Sequence, residues 1–97
     1  MTICWMAHLR PRPGADEQLR EVLKSMVGPT REEAGCVAYD LHESMSEARR
    51  QFSFYEIWRS EADHAAHMKS PHVRVLLMRQ SELVDGDIVL DHLTLIS

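Results

Sequence analysis

The chain has 97 residues and a formal net charge of −4. This length provides a single domain with one core and leaves no room for a separate substrate domain, so a large pocket calls for a second subunit. The acidic balance argues against nucleic acid or an anionic membrane as the main partner, because such contacts depend on clustered lysine and arginine.

The sequence also contains no recognisable targeting signal and no cysteine-pairing motif. No apolar run approaches bilayer-spanning length, and no basic segment followed by an apolar run opens the chain. Cys4 and Cys36 lack CxxC spacing, and each falls in a strand-like segment. We therefore predict buried thiols in a reducing compartment, which indicates a cytoplasmic protein that is not bound to a membrane.

The first third of the chain predicts a strand and a helix. Residues 2–10 alternate between apolar and mixed side chains, as a half-buried strand does. In residues 15–27 the apolar positions follow the i, i+3, i+4, i+7 spacing of an amphipathic helix, with Leu19, Val22, Leu23 and Met26. Gly28-Pro29 is expected to break this helix.

A short extra turn is predicted after that break. Residues 30–33 have capping-box spacing, with Thr30 and Glu33 at its two ends. Gly35 is suited to the left-handed conformation that closes a helix.

Two strands follow on either side of a polar loop. In Cys36–Glu43 the side chains Val37, Tyr39 and Leu41 are expected to share one face. Residues 44–50 form the loop, and residues 51–59 form an aromatic strand. Alternation places Phe52, Phe54, Glu56 and Trp58 on one face of this strand, so a carboxylate lies among three aromatic rings.

The last third predicts two helices and a strand. Ser60 has the character of an N-cap for a helix that ends near Lys69, and Ser70 caps a second helix over Pro71–Leu83. Asp85-Gly86-Asp87 is typical of a turn, and residues 88–96 form a final strand.

The order β-α-β-β-α-β predicts a ferredoxin-like α+β fold with a four-stranded antiparallel sheet. In this fold the first and second strands are not neighbours, so Cys4 and Cys36 are not expected to form a disulfide. The helices cover one face of the sheet, yet the strands are apolar on both. A homodimer that buries sheet against sheet would cover the second face.

Several motifs in this order resemble the antibiotic biosynthesis monooxygenase family over nearly the whole chain. They are Pro13-Gly14, Glu32-Glu33-Ala34-Gly35-Cys36 leading to Tyr39, Phe54-Tyr55-Glu56-Ile57-Trp58, and His67-Met68-Lys69-Ser70-Pro71-His72. The resemblance implies a dimeric α+β barrel. Many members oxidise hydroquinones or polycyclic phenols with dioxygen and without metal or flavin. Relatives of the same shape degrade haem, isomerise small carbon skeletons or have no known reaction.

An oxygenase without a cofactor needs a base in a dry pocket, because its substrate must become an electron-rich anion. His64, His67 and Met68 share one helix face, and the resemblance selects that face as the inward one. We predict His67 as the base or proton shuttle. A competing stripe of Ala62, Ala65, Ala66 and Lys69 would instead leave both histidines in solvent.

Two carboxylates are further candidates. Glu56 lies on the aromatic face of its strand, where burial would raise its pKa and make it a second catalytic candidate. The alternative is a charge paired with arginine at the dimer interface. Asp63 lies four residues before His67 and is placed to orient the imidazole or to form an ordinary surface contact.

Aromatic and histidine side chains complete the predicted site. Trp58, Phe54, Tyr39 and Met68 are expected to shape a pocket for a small aromatic substrate. The resemblance implies a bulky apolar residue at the position of His64, so this histidine makes the wall more polar. His72 follows Pro71 and faces either the pocket mouth or water.

Cofactors are not indicated. His64 and His67 resemble half of a metal-ligand set to which His72 would add a third member, but no acidic or cysteine residue stands at a standard zinc spacing. No glycine-rich phosphate loop or dinucleotide fingerprint occurs. The sequence thus predicts a metal-free, cofactor-independent monooxygenase. The alternatives are a non-catalytic binding or regulatory dimer on the same scaffold, an isomerase relative, or a haem-degrading relative, for which an iron-holding histidine has no clear match.

Overall fold

The computed structural model describes residues 2–97, which form four strands and three helices. In chain order these are β1 (Ile3–Leu9), α1 (Asp16–Arg31), β2 (Cys36–Glu43), β3 (Phe52–Trp58), α2 (Glu61–Met68), α3 (Pro71–Leu83) and β4 (Val89–Leu93). The strands form one antiparallel sheet in the order β2-β3-β1-β4. The predicted ferredoxin-like α+β fold is confirmed, including the two helices that meet before Pro71.

The inner face of the sheet carries the core. In β3 the predicted set of Phe52, Phe54, Glu56 and Trp58 is buried, and the alternate side chains are more exposed. Helix α1 packs its apolar stripe on this face, and Leu19, Leu23 and Met26 are buried there. The two-residue period of β3 therefore places a carboxylate inside the core.

Strand β3 separates the two cysteines. Cys4 in β1 lies opposite Ile57, and Cys36 in β2 lies opposite Trp58. Neighbouring strands are about 4.8 Å apart, so β1 and β2 lie roughly 10 Å apart across β3. That separation is longer than the Cα distance that a disulfide bridges. Both cysteines are free thiols.

Helix α1 does not break at Gly28-Pro29, so that prediction is wrong. The helix continues to Arg31 and contains Pro29 in its last turn. Proline removes one backbone hydrogen bond and its ring crowds the preceding turn, yet the helix continues for two residues beyond it. The continued helix buries Thr30. Thr30 is therefore inside α1 and does not cap a separate turn.

Gly35 has a different role from the predicted one. Among residues 2–97 only Gly14 and Gly86 have positive φ. The Gly35 carbonyl accepts a hydrogen bond from the Arg59 backbone N–H at 2.8 Å. A Cβ at this position would overlap the side chain of Asp63. Gly35 thus lets the chain pass close to α2.

Two strand predictions are corrected by the register. A bulge between Cys36 and Ala38 leaves Val37 61% exposed, so it does not share the buried face of Tyr39. Strand β4 is shorter than residues 88–96. Leu93 pairs with Cys4, which is the second residue of β1. Because the strands are antiparallel, the chain beyond Leu93 soon passes the start of β1 and has no partner strand. No helix within residues 2–97 is long and apolar enough to cross a membrane.

Candidate active site

A cavity of about 440 Å³ lies between the inner face of the sheet and the helices. Its volume is within the range of small-molecule sites. The lining residues are Ala7, Leu9, Met26, Tyr39, Phe54, Glu56, His67, Met68, Val73, Leu76, Leu77, Gln80, Asp87, Ile88 and Leu90. Three ionisable side chains of this set are buried: the carboxyl of Glu56, the imidazole of His67 and the phenol of Tyr39, whose pKa burial raises further above its ordinary value. The cavity is therefore apolar apart from a small number of polar groups, as small-molecule pockets usually are.

His67 lies in the wall of this cavity near the end of α2 and is 2% exposed. Its Nδ1 is 2.9 Å from Oε2 of Glu33. A carboxylate oxygen only accepts hydrogen bonds, so Nδ1 carries the ring proton and Nε2 keeps a lone pair. Burial lowers the pKa of His67, against the opposing effect of the Glu33 carboxylate. The imidazole is therefore neutral at pH 7 and able to accept a proton.

Glu33 joins two imidazoles through a single oxygen. Its Oε2 is also 2.7 Å from Nε2 of His72, in the first turn of α3. The ion pairs of Glu33 with residues 2–97 involve these two histidines and no lysine or arginine. Glu33 therefore fixes the tautomer and the orientation of His67, which makes it a positioning residue.

The approach of residues 33–35 to α2 explains how Glu33 reaches His67. Glu33 follows Glu32, the C-cap residue of α1, and its own N–H bonds to the Thr30 carbonyl at 3.0 Å. Two residues later, Gly35 lies against Asp63 and accepts a hydrogen bond from Arg59. The connection between α1 and β2 is thus held against α2.

Asp63 does not orient His67, so that hypothesis is wrong. Its carboxylate accepts a hydrogen bond from Nε of Arg59 at 3.1 Å and from the Ser60 hydroxyl at 2.8 Å. These contacts lie at the N-terminal end of α2 and lower the pKa of Asp63, the Ser60 bond having the larger effect. Glu33, from another part of the chain, has the role that was considered for Asp63.

Glu56 is 3% exposed and lies next to Trp58 and His64. Its Oε1 accepts a hydrogen bond from Nε1 of Trp58 at 2.8 Å and is 4.0 Å from Nε2 of His64. Burial raises the pKa of Glu56 to about 7; the charge of Glu33 acts in the same direction and the Trp58 bond opposes it. No arginine of residues 2–97 pairs with this carboxylate. Glu56 is therefore able to hold or release a proton near neutral pH.

His64 belongs to an aromatic stack beside Glu56. Its ring is parallel to Trp5, with centroids 4.6 Å apart, and His92 stacks on Trp5 at 4.3 Å. Burial lowers the pKa of His64, and the neighbouring His67 and His92 add to the effect. The Trp5 Nε1 is buried without a hydrogen-bond partner in residues 2–97. Trp5 and Glu56 are opposite each other in the sheet, so a polar cluster adjoins the carboxylate.

The predicted site residues are brought together only in part. Tyr39, Phe54, Glu56, His67 and Met68 line the cavity. Trp58 is fully buried behind them, with its ring 4.7 Å from that of His67. His64 and His72 are not lining residues: the first stacks on Trp5 and the second binds Glu33. The solvent-exposed interpretation of His64 and His67 is wrong, because both are buried.

Three residues of the site were not identified from the sequence. Glu33 is 34 positions from His67, and its local pattern was interpreted as a capping box. Trp5 and His92 come from strands at opposite ends of the chain and meet through the β1–β4 register. The sequence grouped His64 with His67 and His72 as a partial metal-ligand set, whereas in the structure Glu33, 34 positions from His67, stands with these two histidines in place of His64.

The four-stranded sheet, covered by three helices on one face, forms a small α+β domain with a cavity between the two layers. The family model for antibiotic biosynthesis monooxygenases matches residues 2–77. The chain belongs to the antibiotic biosynthesis monooxygenase family.

Individual relatives agree with this assignment. The protein described as "Putative monooxygenase Rv0793" from Mycobacterium tuberculosis is 40% identical over 67 residues, which are 69% of this chain and 64% of that protein. Its solved structure has a TM-score of 0.89 at 31% identity and covers 100% of this chain and 97% of that chain. PA3566 from Pseudomonas aeruginosa has a TM-score of 0.91 at 28% identity, covering 99% and 95%. In sequence, the chain spans less than two thirds of its curated relatives: 64% of Rv0793 and 52% of sll1783 from Synechocystis.

Proposed function

We propose that this protein is a cofactor-independent monooxygenase that oxidises a phenolic or hydroquinone-type substrate with dioxygen. The observation that carries the proposal is the buried, neutral imidazole of His67 in the wall of an apolar cavity, held through Nδ1 by Glu33. Membership of a monooxygenase family supports the reaction class. The flat faces of Tyr39 and Phe54, which stack at 4.4 Å and line the cavity, support an aromatic substrate.

His67 would begin the reaction as a general base. Its Nε2 accepts the proton of the substrate hydroxyl, and Glu33 stabilises the imidazolium that forms. Water is excluded by the apolar walls, so the phenolate is less solvated and donates electrons more readily. Proton transfer thus prepares the substrate to reduce dioxygen without a metal or flavin.

The electron balance needs no further oxidant. The phenolate passes electrons to dioxygen and forms a carbon–oxygen bond, and the imidazolium of His67 protonates the resulting peroxide. Loss of the proton on the same ring carbon then breaks the oxygen–oxygen bond. One oxygen atom becomes the new quinone carbonyl, and the other leaves as water with the hydroxyl hydrogen and the ring hydrogen. Four electrons therefore move from the substrate to one dioxygen.

Glu56 is the second proton-transfer group of this proposal. It lines the same cavity as His67, and its pKa of about 7 keeps both of its protonation states populated at neutral pH. The neutral acid donates a proton to the departing hydroxide, and the carboxylate removes the proton from the ring carbon. His67 and Glu56 together supply the proton transfers that the reaction requires.

The proposed active form is a cytoplasmic homodimer. Support for the dimer comes from the outer face of the sheet, where Tyr55, Val89 and Leu93 are 38%, 50% and 41% exposed. The helices lie on the opposite face and leave these side chains uncovered. The cytoplasmic location is inferred from the sequence, in which the two cysteines lack the spacing of a pairing motif.

Oxygen consumption with a panel of hydroquinones and polycyclic phenols tests the activity directly. The protein should consume one dioxygen per quinone formed without added metal or flavin. His67→Ala should lower turnover by a factor of about a hundred or more, because it removes a positioned base. His67→Gln tests the same role while keeping more of the side-chain volume.

The matched control is His42→Gln, which changes an exposed histidine on β2 and should leave turnover unchanged. Circular dichroism and denaturation of each variant show whether the fold is kept. Full turnover in both His67 variants would move the role of base to Glu56. Tight binding of aromatic compounds with no oxygen uptake would instead favour the non-catalytic binding dimer.

A further inference from the structure

Three donor atoms from separate elements converge beside the cavity. They are Oε2 of Glu33, Nδ1 of His67 and Nε2 of His72, and all lie within 4.8 Å of one another. Two of the separations are 2.9 Å and 2.7 Å. Ligands bound tetrahedrally at about 2.0–2.1 Å from a metal stand roughly 3.4 Å apart. Small rotations of these three side chains would therefore bring the donor atoms to the separations of a tetrahedral metal site.

The scaffold that holds the three ligands is firmly connected. Glu33 is anchored by its backbone bond to Thr30. His67 and His72 flank the junction of α2 and α3, where the Ser70 N–H bonds to the His67 carbonyl at 2.9 Å and the Ser70 hydroxyl caps α3. Ligands that are fixed before binding lose little conformational entropy when a cation arrives.

Charge and access also favour a cation. Within residues 2–97 the carboxylate of Glu33 has no lysine or arginine partner, so its ionic contacts are the two imidazoles alone. The side chains of Glu33 and His72 are 20% and 17% exposed, whereas that of His67 is 3% exposed. An ion can thus enter from the solvent side and reach a buried third ligand.

We propose that Glu33, His67 and His72 form a binding site for one divalent transition-metal cation of the Zn²⁺ or Co²⁺ type. Two imidazole nitrogens and one carboxylate oxygen suit these ions better than Mg²⁺ or Ca²⁺, which prefer oxygen ligands. Three protein ligands leave at least one coordination position for water.

Cation binding and the base function of His67 exclude each other. A metal on Nδ1 displaces the proton that this atom donates to Glu33, and the neutral ring then carries its proton on Nε2. That nitrogen no longer has a lone pair for the substrate hydroxyl. On the basis of the proposed function, the cation is therefore an inhibitor of oxidation and not its cofactor.

Direct titration of the chelator-treated protein tests the site. Calorimetry with Zn²⁺ and absorbance with Co²⁺ should both give one cation per chain. His72→Gln and Glu33→Gln should each weaken binding by at least about tenfold, since each removes one of three ligands. His42→Gln, which alters a histidine outside the cluster, should bind as the unmodified chain does. Equal affinity in all four proteins, or no stoichiometric binding, would overturn the proposal.

Oxygen uptake with and without Zn²⁺ separates the site from the proposed function. Inhibition that needs at least about tenfold more Zn²⁺ in His72→Gln than in the unmodified chain supports both. Ligand-dependent binding without inhibition keeps the site and refutes the base role of His67. If turnover depends on His67 but cation affinity is unchanged in Glu33→Gln and His72→Gln, the proposed function stands and the proposed metal site is refuted.

Discussion

Glu33 and Glu56 are two carboxylates whose surroundings give them opposite tasks. Glu33 is partly exposed and accepts hydrogen bonds from two imidazoles, so its anionic form is the useful one. Glu56 is buried and has one donor, Trp58, which does not compensate for the loss of water. In the proposed mechanism one carboxylate therefore orients the base and the other exchanges a proton, and the difference comes from their surroundings.

The raised pKa of Glu56 predicts how stability depends on pH. Its folded value of about 7 lies above the ordinary 4.5, so between these values the folded state holds the proton more tightly. Stability from this group falls as pH rises through that window, and the full cost is present above pH 7. Glu56→Gln keeps an acceptor for Trp58 and cannot ionise. As pH rises from 5 to 8, the free energy of unfolding of the variant should increase by about 2–3 kcal/mol relative to that of the unmodified protein.

Urea denaturation of both proteins at the two pH values measures this gain. The nearby His64 and His67 have lowered pKa values and produce the opposite slope, because stability declines as pH falls below that of the unfolded imidazole. That slope is common to both proteins and largely cancels in the difference. A difference in stability that stays constant from pH 5 to pH 8 would show that Glu56 ionises normally.

Elements were predictable where their causes are local. Alternation in β3 identified the buried carboxylate, and the predicted caps are formed, with Ser60 accepting from the Asp63 N–H and Ser70 from the Val73 N–H. Pro29 misled the prediction because a proline usually ends a helix, whereas α1 continues past it and buries Thr30. Glu33 was missed for a different reason. Its partner His67 is 34 residues away, and the periodicity of neighbouring residues gives no information on a contact at that distance.

The contact of Gly35 with α2 gives a prediction for the element that positions Glu33. Gly35→Ala places a Cβ into the side chain of Asp63, including its Cβ and Cγ, so rotation of Asp63 alone does not relieve the overlap. We expect a loss of about 1–3 kcal/mol in the free energy of unfolding, the usual scale of overpacking. In an Asp63→Gly background the same substitution should cost less, because the obstructing atoms are gone.

Gly28→Ala is the matched control. Gly28 lies in α1 with no atom within 4 Å of an added Cβ. Alanine there should stabilise the protein by roughly 0.5–1 kcal/mol, through helix preference and lower entropy of the unfolded chain. Denaturation of the unmodified chain, Gly35→Ala, Asp63→Gly and the double variant gives the coupling energy between the two positions. Equal costs of Gly35→Ala in the two backgrounds would mean that Asp63 is not the obstacle.

The two faces of the sheet differ in how far the helices cover them. The inner face is covered by helices, whereas the outer face leaves apolar side chains partly or largely exposed: Met6, Tyr55, Ile57, Val89 and Leu93. A second apolar patch, formed by Val75 and Met78, lies on α3. The helix patch is formed by side chains of one helix, whereas the outer-face side chains come from three strands that lie side by side, which suits an interface of standard size better.

A homodimer through the outer face is therefore the expected state in solution. Light scattering at micromolar concentration should give twice the chain mass of 11.2 kDa. Leu93→Glu and Tyr55→Glu together would bury unpaired charge in that interface, so the double variant should be monomeric. Met78→Glu changes a side chain that is 77% exposed on α3 and should remain dimeric. A monomer before any substitution would refute the dimer, and dissociation by Met78→Glu alone would move the interface to α3.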